Sequence, residues 1–321
     1  MTPKRYEPVD LARLRTYGIA QRAHKFDSHD TARLPEKGAR FAAWWDSLPP
    51  FLGAKNLKGL ADAILAARRA DRPVIFALGA HVVKVGCSPI ICDLIERGLI
   101  TAVAMNGATA IHDVEVATFG QTSEEVADTI KDGSFGMVRE TPTFFAEALA
   151  AAPPEEGLGA AIGQHVLRSG AAGASLSILA AAARHGVSST VHVALGTDTI
   201  HMHDSVARSS LAERSTTDFR VICAAVADMA ASAPGAGTSG VWVNVGSAVL
   251  LPEVFLKAVA VARNLGANLD DITTANLDMI RHYRPSENVT GRPVKKGRGL
   301  SITGHHEIML PLLRQALIEG A

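Results

Sequence analysis

Aromatic residues are scarce in this chain, at 5% of 321 residues, with Trp 3 and Tyr 3. That scarcity argues against base-stacking platforms for single-stranded nucleic acid. With abundant Ala and Gly, it also favours helices packed closely on a sheet over an all-β sandwich. A surplus of charge is missing too, because 32 Lys+Arg face 32 Asp+Glu. Binding to a polyanion rests on excess cations against phosphate, so a dominant nucleic-acid role is excluded. Cys87, Cys92 and Cys223 are too few for a disulfide framework and lack zinc-ribbon spacing, which fits a reducing cytoplasm. The longest apolar stretches, such as Ala180–Ala183 and Val241–Leu251, fall far short of a membrane span. Met1–Asp10 is charged and has no apolar core, so no signal peptide is expected. No Gly-x-Gly-x-x-Gly follows an expected strand as the dinucleotide fingerprint requires, its one spelling, Gly235–Gly240, coming ahead of a strand, and the Walker-type phosphate loop is absent.

What is present is a chain with 47% hydrophobic residues and an alternating pattern. Residues 1–52 stand apart. Met1–Gly38 is charged with little periodicity, Arg40–Trp45 carries an apolar patch, and Leu48-Pro49-Pro50 breaks the chain. This predicts an N-terminal extension over 1–52, draped on the main domain or a neighbouring subunit, and one domain over 53–321. From Asn56 onward, helical spacing alternates with short apolar runs typical of buried parallel strands. The runs Val74–Leu78, Ile100–Met105, Thr190–Leu195 and Gly240–Val245 are expected strands, with Leu277–Ile280 and Leu300–Thr303 as late ones. Expected helices include Ala110–Phe119, Thr122–Lys131 with Ser123 as its cap, Asp218–Ala231 and Ile308–Ile318. The order implies an α/β, doubly wound, mostly parallel sheet of Rossmann-like type, with ligands at the carboxyl ends of the strands.

Polar residues gather after those strands. His81 and Lys84 follow the first, and Asn106, His112, Asp113 and Glu115 follow the second. Thr197, Asp198, His201, His203 and Asp204 follow the third, with Asn244 and Ser247 at the fourth. Lys295, Lys296, His305 and His306 come near the end. A His beside carboxylates at a strand exit, as in His112-Asp113-x-Glu115, suits general acid–base work, against helix capping by Asp113 as the blander reading. His201-x-His203-Asp204 reads as hydrogen-bonding substrate contacts, as part of a metal shell with His112 or His305, or as ordinary histidines. Asp198 and Asp204 suit a cationic amine. Lys295 or Lys296, beside Arg298, is a candidate imine-forming lysine, against a solvated basic loop.

Several segments together resemble the deoxyhypusine synthase superfamily. They are Leu78–His81, Cys92–Met105, Asn106–Glu115, Val193–Asp198 with Asp204 downstream, Trp242–Leu250, and Leu300–Leu313. The resemblance runs from about Asn56 to the C-terminus. It implies an NAD-binding domain in a homotetramer, a dimer of dimers. It also implies a transferase reaction in which NAD oxidises the polyamine spermidine and a lysine imine passes the aminobutyl group to an acceptor amine. By that resemblance Gly79, Ala80, Asn106, Gly107, Asp198, Gly246 and Ser247 lie near NAD. His112, Asp113 and Asp204 lie near the amine, with His201, His203 and His305 as further substrate contacts. The family's Ser-Trp-Gly-Lys segment is shortened here, because Arg292-Pro293 leads almost directly into Gly299-Leu300, leaving Lys295 and Lys296 as displaced candidates. A second branch, the NAD-dependent ornithine cyclodeaminases, carries a turn similar to Ala108–Glu115 and needs no lysine imine. The expectation is an NAD-dependent enzyme acting on a small amine, with no metal. A cyclodeaminase-like lyase, a metal-dependent hydrolase built on the His cluster, and a non-catalytic NAD- or amine-binding relative stand as alternatives.

Overall fold

The computed structural model describes residues 3–230 and 238–320. Six strands form one sheet: β1 Val74–Leu78, β2 Ala102–Asn106, β3 Ser188–His192, β4 Val241–Val245, β5 Thr273–Asp278 and β6 Gly299–Thr303. Their spatial order is β3-β2-β1-β4-β5-β6, and every neighbouring pair is parallel. Phe76 stands opposite Val103 on one side and Val243 on the other, which fixes the central register. With helices on both faces, this is the α/β Rossmann-like fold expected from the alternation. The order reverses between β1 and β4, the switch point where such sheets open a crevice.

Alternation along the strands divides the core into two layers. Val74, Phe76 and Leu78 of β1 face one layer, with the helices Leu52–Arg69, Ser88–Glu96, Gly107–Phe119 and His306–Gly320. Ile75 and Ala77 face the other, with the helices Leu211–Asp228 and Leu250–Asn264. There the buried Trp242 ring stacks on Phe255 at 4.3 Å between centroids. Each such side chain taken out of water stabilises the fold by about 1.5–3 kcal/mol.

Three element expectations differ most in their bounds, beside smaller shifts such as the third strand at Ser188–His192 rather than Thr190–Leu195. The late strand runs over Thr273–Asp278 rather than Leu277–Ile280. Its polar residues hid it, and each is satisfied internally: Thr274 Oγ1 donates to the Val289 carbonyl at 2.7 Å, and Asn276 Oδ1 accepts from Asn244 Nδ2 at 2.7 Å. Thr122–Lys131 forms only one turn, Val126–Thr129, capped by Glu125 rather than Ser123, whose φ is 69°. Helix Leu211–Asp228 begins seven residues before the expected Asp218, and Ala231, its expected last residue, lies outside the described residues. Residues 3–51 hold three single turns and the helix Phe41–Ser47, with nearly all side chains exposed. Trp45 packs against the first core layer, while Trp44 stays exposed.

Helix Leu211–Asp228 carries two buried charged residues that organise its neighbours. Arg214 donates to the carbonyls of Leu149, Ala152, Pro153 and Glu156 at 2.6–3.0 Å. These include the open carbonyls at the end of helix Glu140–Ala151, where the helix dipole also favours a cation. Asp218 accepts from the backbone N–H groups of Val191 at 2.6 Å and Gly159 at 2.8 Å. Burial pushes its carboxyl from 3.8 up to about 7, although those N–H groups pull the other way.

Replacing Arg214 with Met should cost about 3 kcal/mol in urea unfolding, because several buried carbonyls lose their donor at once. A loss below about 1 kcal/mol would show that they find other partners. Asp218 sets a pH dependence. Between about 4 and about 7 the folded chain keeps a proton on it that the unfolded chain has released. Its contribution is therefore present at low pH and is lost as pH rises through that window. Wild type should lose stability over the window more steeply than Asp218→Asn, read as urea midpoints at matched pH.

Candidate active site

Because every strand is parallel, the loops after β1, β2 and β3 leave from one edge of the sheet. They enclose a cavity of about 590 Å³. Its lining includes Lys84 after β1, His112 and Glu115 on helix Gly107–Phe119, Thr122, Glu124 and Thr141 beyond that helix, and Asp198 after β3.

Two glycine contacts shape the carboxyl edge beside the cavity. Gly79 N–H donates to the Val245 carbonyl at 2.8 Å, which carries the β1–β4 ladder into the exit loops. A Cβ on Gly79 would stand 2.1 Å from the Gly246 carbonyl oxygen, so only glycine permits this approach. A Cβ on Gly107 would stand 2.0 Å from Asp198 Oδ2. The Asp198 carboxylate thus packs against the first residue of helix Gly107–Phe119, where backbone N–H groups favour negative charge. Burial pushes its carboxyl above the ordinary value, and His201 draws it back in part. Asn106 caps the same helix, its Oδ1 accepting from Thr109 N at 2.8 Å.

Among the described residues, seven buried side-chain polar atoms have no protein partner. Five of them are Asp198 Oδ2, His201 Nε2, Asn244 Oδ1, and Nδ1 and Nε2 of His306. These four residues all sit at the carboxyl edge. Leaving such atoms unpaired costs about 1–3 kcal/mol each, so their concentration at one edge marks a place where the fold gives up stability. His306 faces Gly246, where a Cβ would stand 2.7 Å from Nε2, and its ring lies edge-on to His81 at 6.4 Å. Burial holds the His306 imidazole below its ordinary value, against the pull of Asp278.

The wall opposite Asp198 carries a chain of hydrogen bonds. His112 Nδ1 lies 2.5 Å from Thr122 Oγ1, and that hydroxyl donates to Glu115 Oε2 at 2.5 Å. Thr141 Oγ1 donates to the other oxygen, Oε1, at 2.9 Å. Burial alone would raise the Glu115 carboxyl, but the nearby His112 imidazole and the hydrogen bonds from Thr122 and Thr141 outweigh it, so it lies below its ordinary value.

The remaining residues singled out in the sequence divide. Gly79, Ala80, Asn106, Gly107, Asp198, Gly246 and Ser247 share the carboxyl edge, and His112 lines the cavity. Asp113, next to His112, turns into the core. It accepts from Ser177 Oγ at 2.6 Å and from the N–H groups of Ile178 and Leu179 at 2.7 and 3.2 Å. It therefore caps helix Ile178–Arg184 from a distant helix, and burial pushes its carboxyl up to about 6. His201 Nδ1 accepts from the N–H groups of Gly196 and Asp198, while His203 Nε2 bonds the Gly136 carbonyl at 2.9 Å. Asp204 is exposed and paired with Arg208, and His305 is exposed beside Glu307. Among the described residues, no three His, Cys, Asp or Glu side chains converge to hold a metal, so the His-x-His-Asp shell does not form.

Lys295 and Lys296 need a correction of place. They precede β6 rather than follow a strand, so in a parallel sheet they lie at the amino edge, away from the cavity. Lys295 is paired there with Asp270 and Asp271, which likewise precede β5. Lys84 is the lysine that lines the cavity. Sequence reasoning passed over Thr122, Glu124 and Thr141 as site residues. Thr122 and Glu124 lie in irregular backbone within a stretch expected to be helical, and Thr141 lies in the first turn of helix Glu140–Ala151; polarity is their only signal.

Solved structures share this fold. AgrE in its ternary complex with ornithine and NAD+ matches with a TM-score of 0.55 at 11% identity, over 82% of this chain and 32% of that one. The LOR/SDH protein of Methanococcus maripaludis S2 matches with a TM-score of 0.51 at 14% identity, over 82% of this chain and 69% of that one. A protein from Entamoeba histolytica bearing the name deoxyhypusine synthase matches with a TM-score of 0.51 at 9% identity, over 88% and 94% of the two chains. This chain therefore spans about a third of the length of AgrE and nearly all of the Entamoeba protein. At these identities the likeness establishes the fold. No protein-family model and no curated protein matches the sequence.

Gly79 and Gly107 should respond differently to alanine. Gly79→Ala drives a methyl into backbone and should lower stability by about 1–3 kcal/mol, read from thermal unfolding. Gly107→Ala meets the end of a side chain, so Asp198 swings aside and the melting temperature stays close to wild type. Equal losses in the two variants would show that Asp198 is held as rigidly as the Gly246 backbone.

Proposed function

We propose that this chain is an NAD-dependent enzyme acting on a small amine. The observation that carries the reading is the unpartnered Asp198 carboxylate oxygen, packed on Gly107 beside a cavity with more anions than cations. Glu115, Glu124 and Asp198 face one lysine, Lys84, and a carboxylate-rich cleft favours a protonated amine. NAD fits the adjoining part of the edge, which Asp198 shares with the amine cavity, on two grounds: the loops at Gly79 and Gly246 have no room for side chains, and Asn244 Oδ1 lacks a partner. Gly79, Ala80, Asn106, Gly107, Asp198, Gly246 and Ser247 would hold it. Bound there, NAD would supply a hydride acceptor, and the protein would supply orientation and electrostatics. His112 takes a proton from the substrate ammonium, and the carboxylates hold the amine in the cavity while neighbouring side chains limit water.

Aminobutyl transfer of the deoxyhypusine synthase type is the finer form of this reading, supported by the order of the resembling segments. A second form, amine oxidation without a lysine imine as in a cyclodeaminase-like lyase, is favoured by one observation. The two lysines proposed for the imine lie at the amino edge. The assembly proposed with either form is a homo-oligomer. The exposed Leu14, Ile19 and Phe26 of the N-terminal arm support it as surfaces for a neighbouring subunit.

Calorimetry tests the reading. NAD titrated into the purified chain should bind, and Asp198→Ala should weaken that binding about tenfold, or ~1.4 kcal/mol. Spermidine and ornithine should then be compared by the products that appear in mass spectrometry with NAD present. Absence of any NAD binding overturns the proposal.

A further inference from the structure

The hydrogen bonds around His112 fix where its proton sits. Glu115 is held below its ordinary value and accepts at both oxygens, from Thr141 at Oε1 and from Thr122 at Oε2. A threonine hydroxyl has one proton, and here that proton points to Glu115. Thr122 Oγ1 can therefore meet His112 Nδ1, 2.5 Å away, only as an acceptor. Nδ1 must carry the hydrogen, and in the neutral ring Nε2 then carries the lone pair. No hydrogen bond to a described residue engages Nε2, and His112 lines the cavity.

We propose that Thr122 and Glu115 are positioning residues that lock His112 in its Nδ1–H tautomer, so that Nε2 is the proton acceptor presented to the substrate. The arrangement His112–Thr122–Glu115 does through a hydroxyl what a carboxylate does directly in a hydrolytic triad. The transfer balances simply. One N–H bond of the substrate ammonium breaks, its proton forms a bond to Nε2, and a neutral amine and an imidazolium remain with no change in electron count. Glu115 stays ionised and offsets the new charge through Thr122. The i, i+3 spacing of His112 and Glu115 on one helix places both on the same face, with Nδ1 3.8 Å from Oε2. Thr122, ten residues beyond His112, fills the gap.

The proton-accepting role rests on the amine-enzyme reading above, but the tautomer does not. The test is therefore an NMR measurement on the full chain labelled with ¹⁵N-histidine, at a pH where His112 is neutral. His112→Gln assigns the resonance by its loss. Wild type should show the Nδ1–H tautomer, Thr122→Ser should retain it, and Thr122→Val should shift the ring toward Nε2–H. A wild-type ring in the Nε2–H form overturns the proposal without any variant, as does a folded Thr122→Val protein that keeps Nδ1–H. In turnover with the amine found active, Thr122→Val should lower kcat about a hundredfold with KM little changed, and Thr122→Ser should restore it. If no amine is turned over while the tautomer is as stated, the functional reading fails and the relay stands.

Discussion

The common direction of the six strands governs this molecule. In a parallel sheet all the strand-exit loops reach one edge, so residues far apart in sequence, from Lys84 to Asp198, line one cavity. The same direction sends everything that precedes a strand to the other edge. Lys295 and Lys296 illustrate this: they are close in sequence to the edge residue His306, yet a full strand length separates them from it. Chemistry here is assigned by strand polarity before it is assigned by residue type.

Much of the fold was readable because apolar runs in buried parallel strands are conspicuous. Val74–Leu78 was expected at its observed bounds, since all five residues are apolar and buried. β5 was displaced because Thr273, Thr274 and Asn276 look like loop residues until their internal partners are known. The candidate site was readable in one respect, the clustering of glycines and polar residues at strand exits. What could not be read was orientation. His112 and Asp113 are neighbours on one helix, and the rotation of about 100° between them sends the first into the cavity and the second into the core to cap another helix. Asp204 and His305 follow the same logic outward, toward solvent. Thr122 was unreadable because its role depends on a loop that returns to meet a helix, and no periodicity encodes that return.

The cavity edge and the core make opposite use of polar groups. In the core, each buried charge is fully occupied: Arg214 by four carbonyls, Asp218 by backbone N–H groups, Asp113 by a hydroxyl and two N–H groups. At the edge, Asp198, His201, Asn244 and His306 each keep an atom without a partner. Two well-packed layers offset that cost. The contrast is one of surroundings rather than of residue type, since both sets contain aspartates.

Asp218 and Ser215 have a consequence for how this chain meets others. β3 is an edge strand, yet Val191 N–H is taken by Asp218, while Val193 N–H and the Val191 carbonyl are taken by Ser215. On the far edge, Asn56 Nδ2 occupies the Ser301 carbonyl of β6. A passing strand from another molecule would find these rungs of the ladder already filled by the protein's own helices. The sheet is thereby closed to extension at those points, which limits fibre-like growth and leaves helices and the N-terminal arm as the surfaces through which copies can meet.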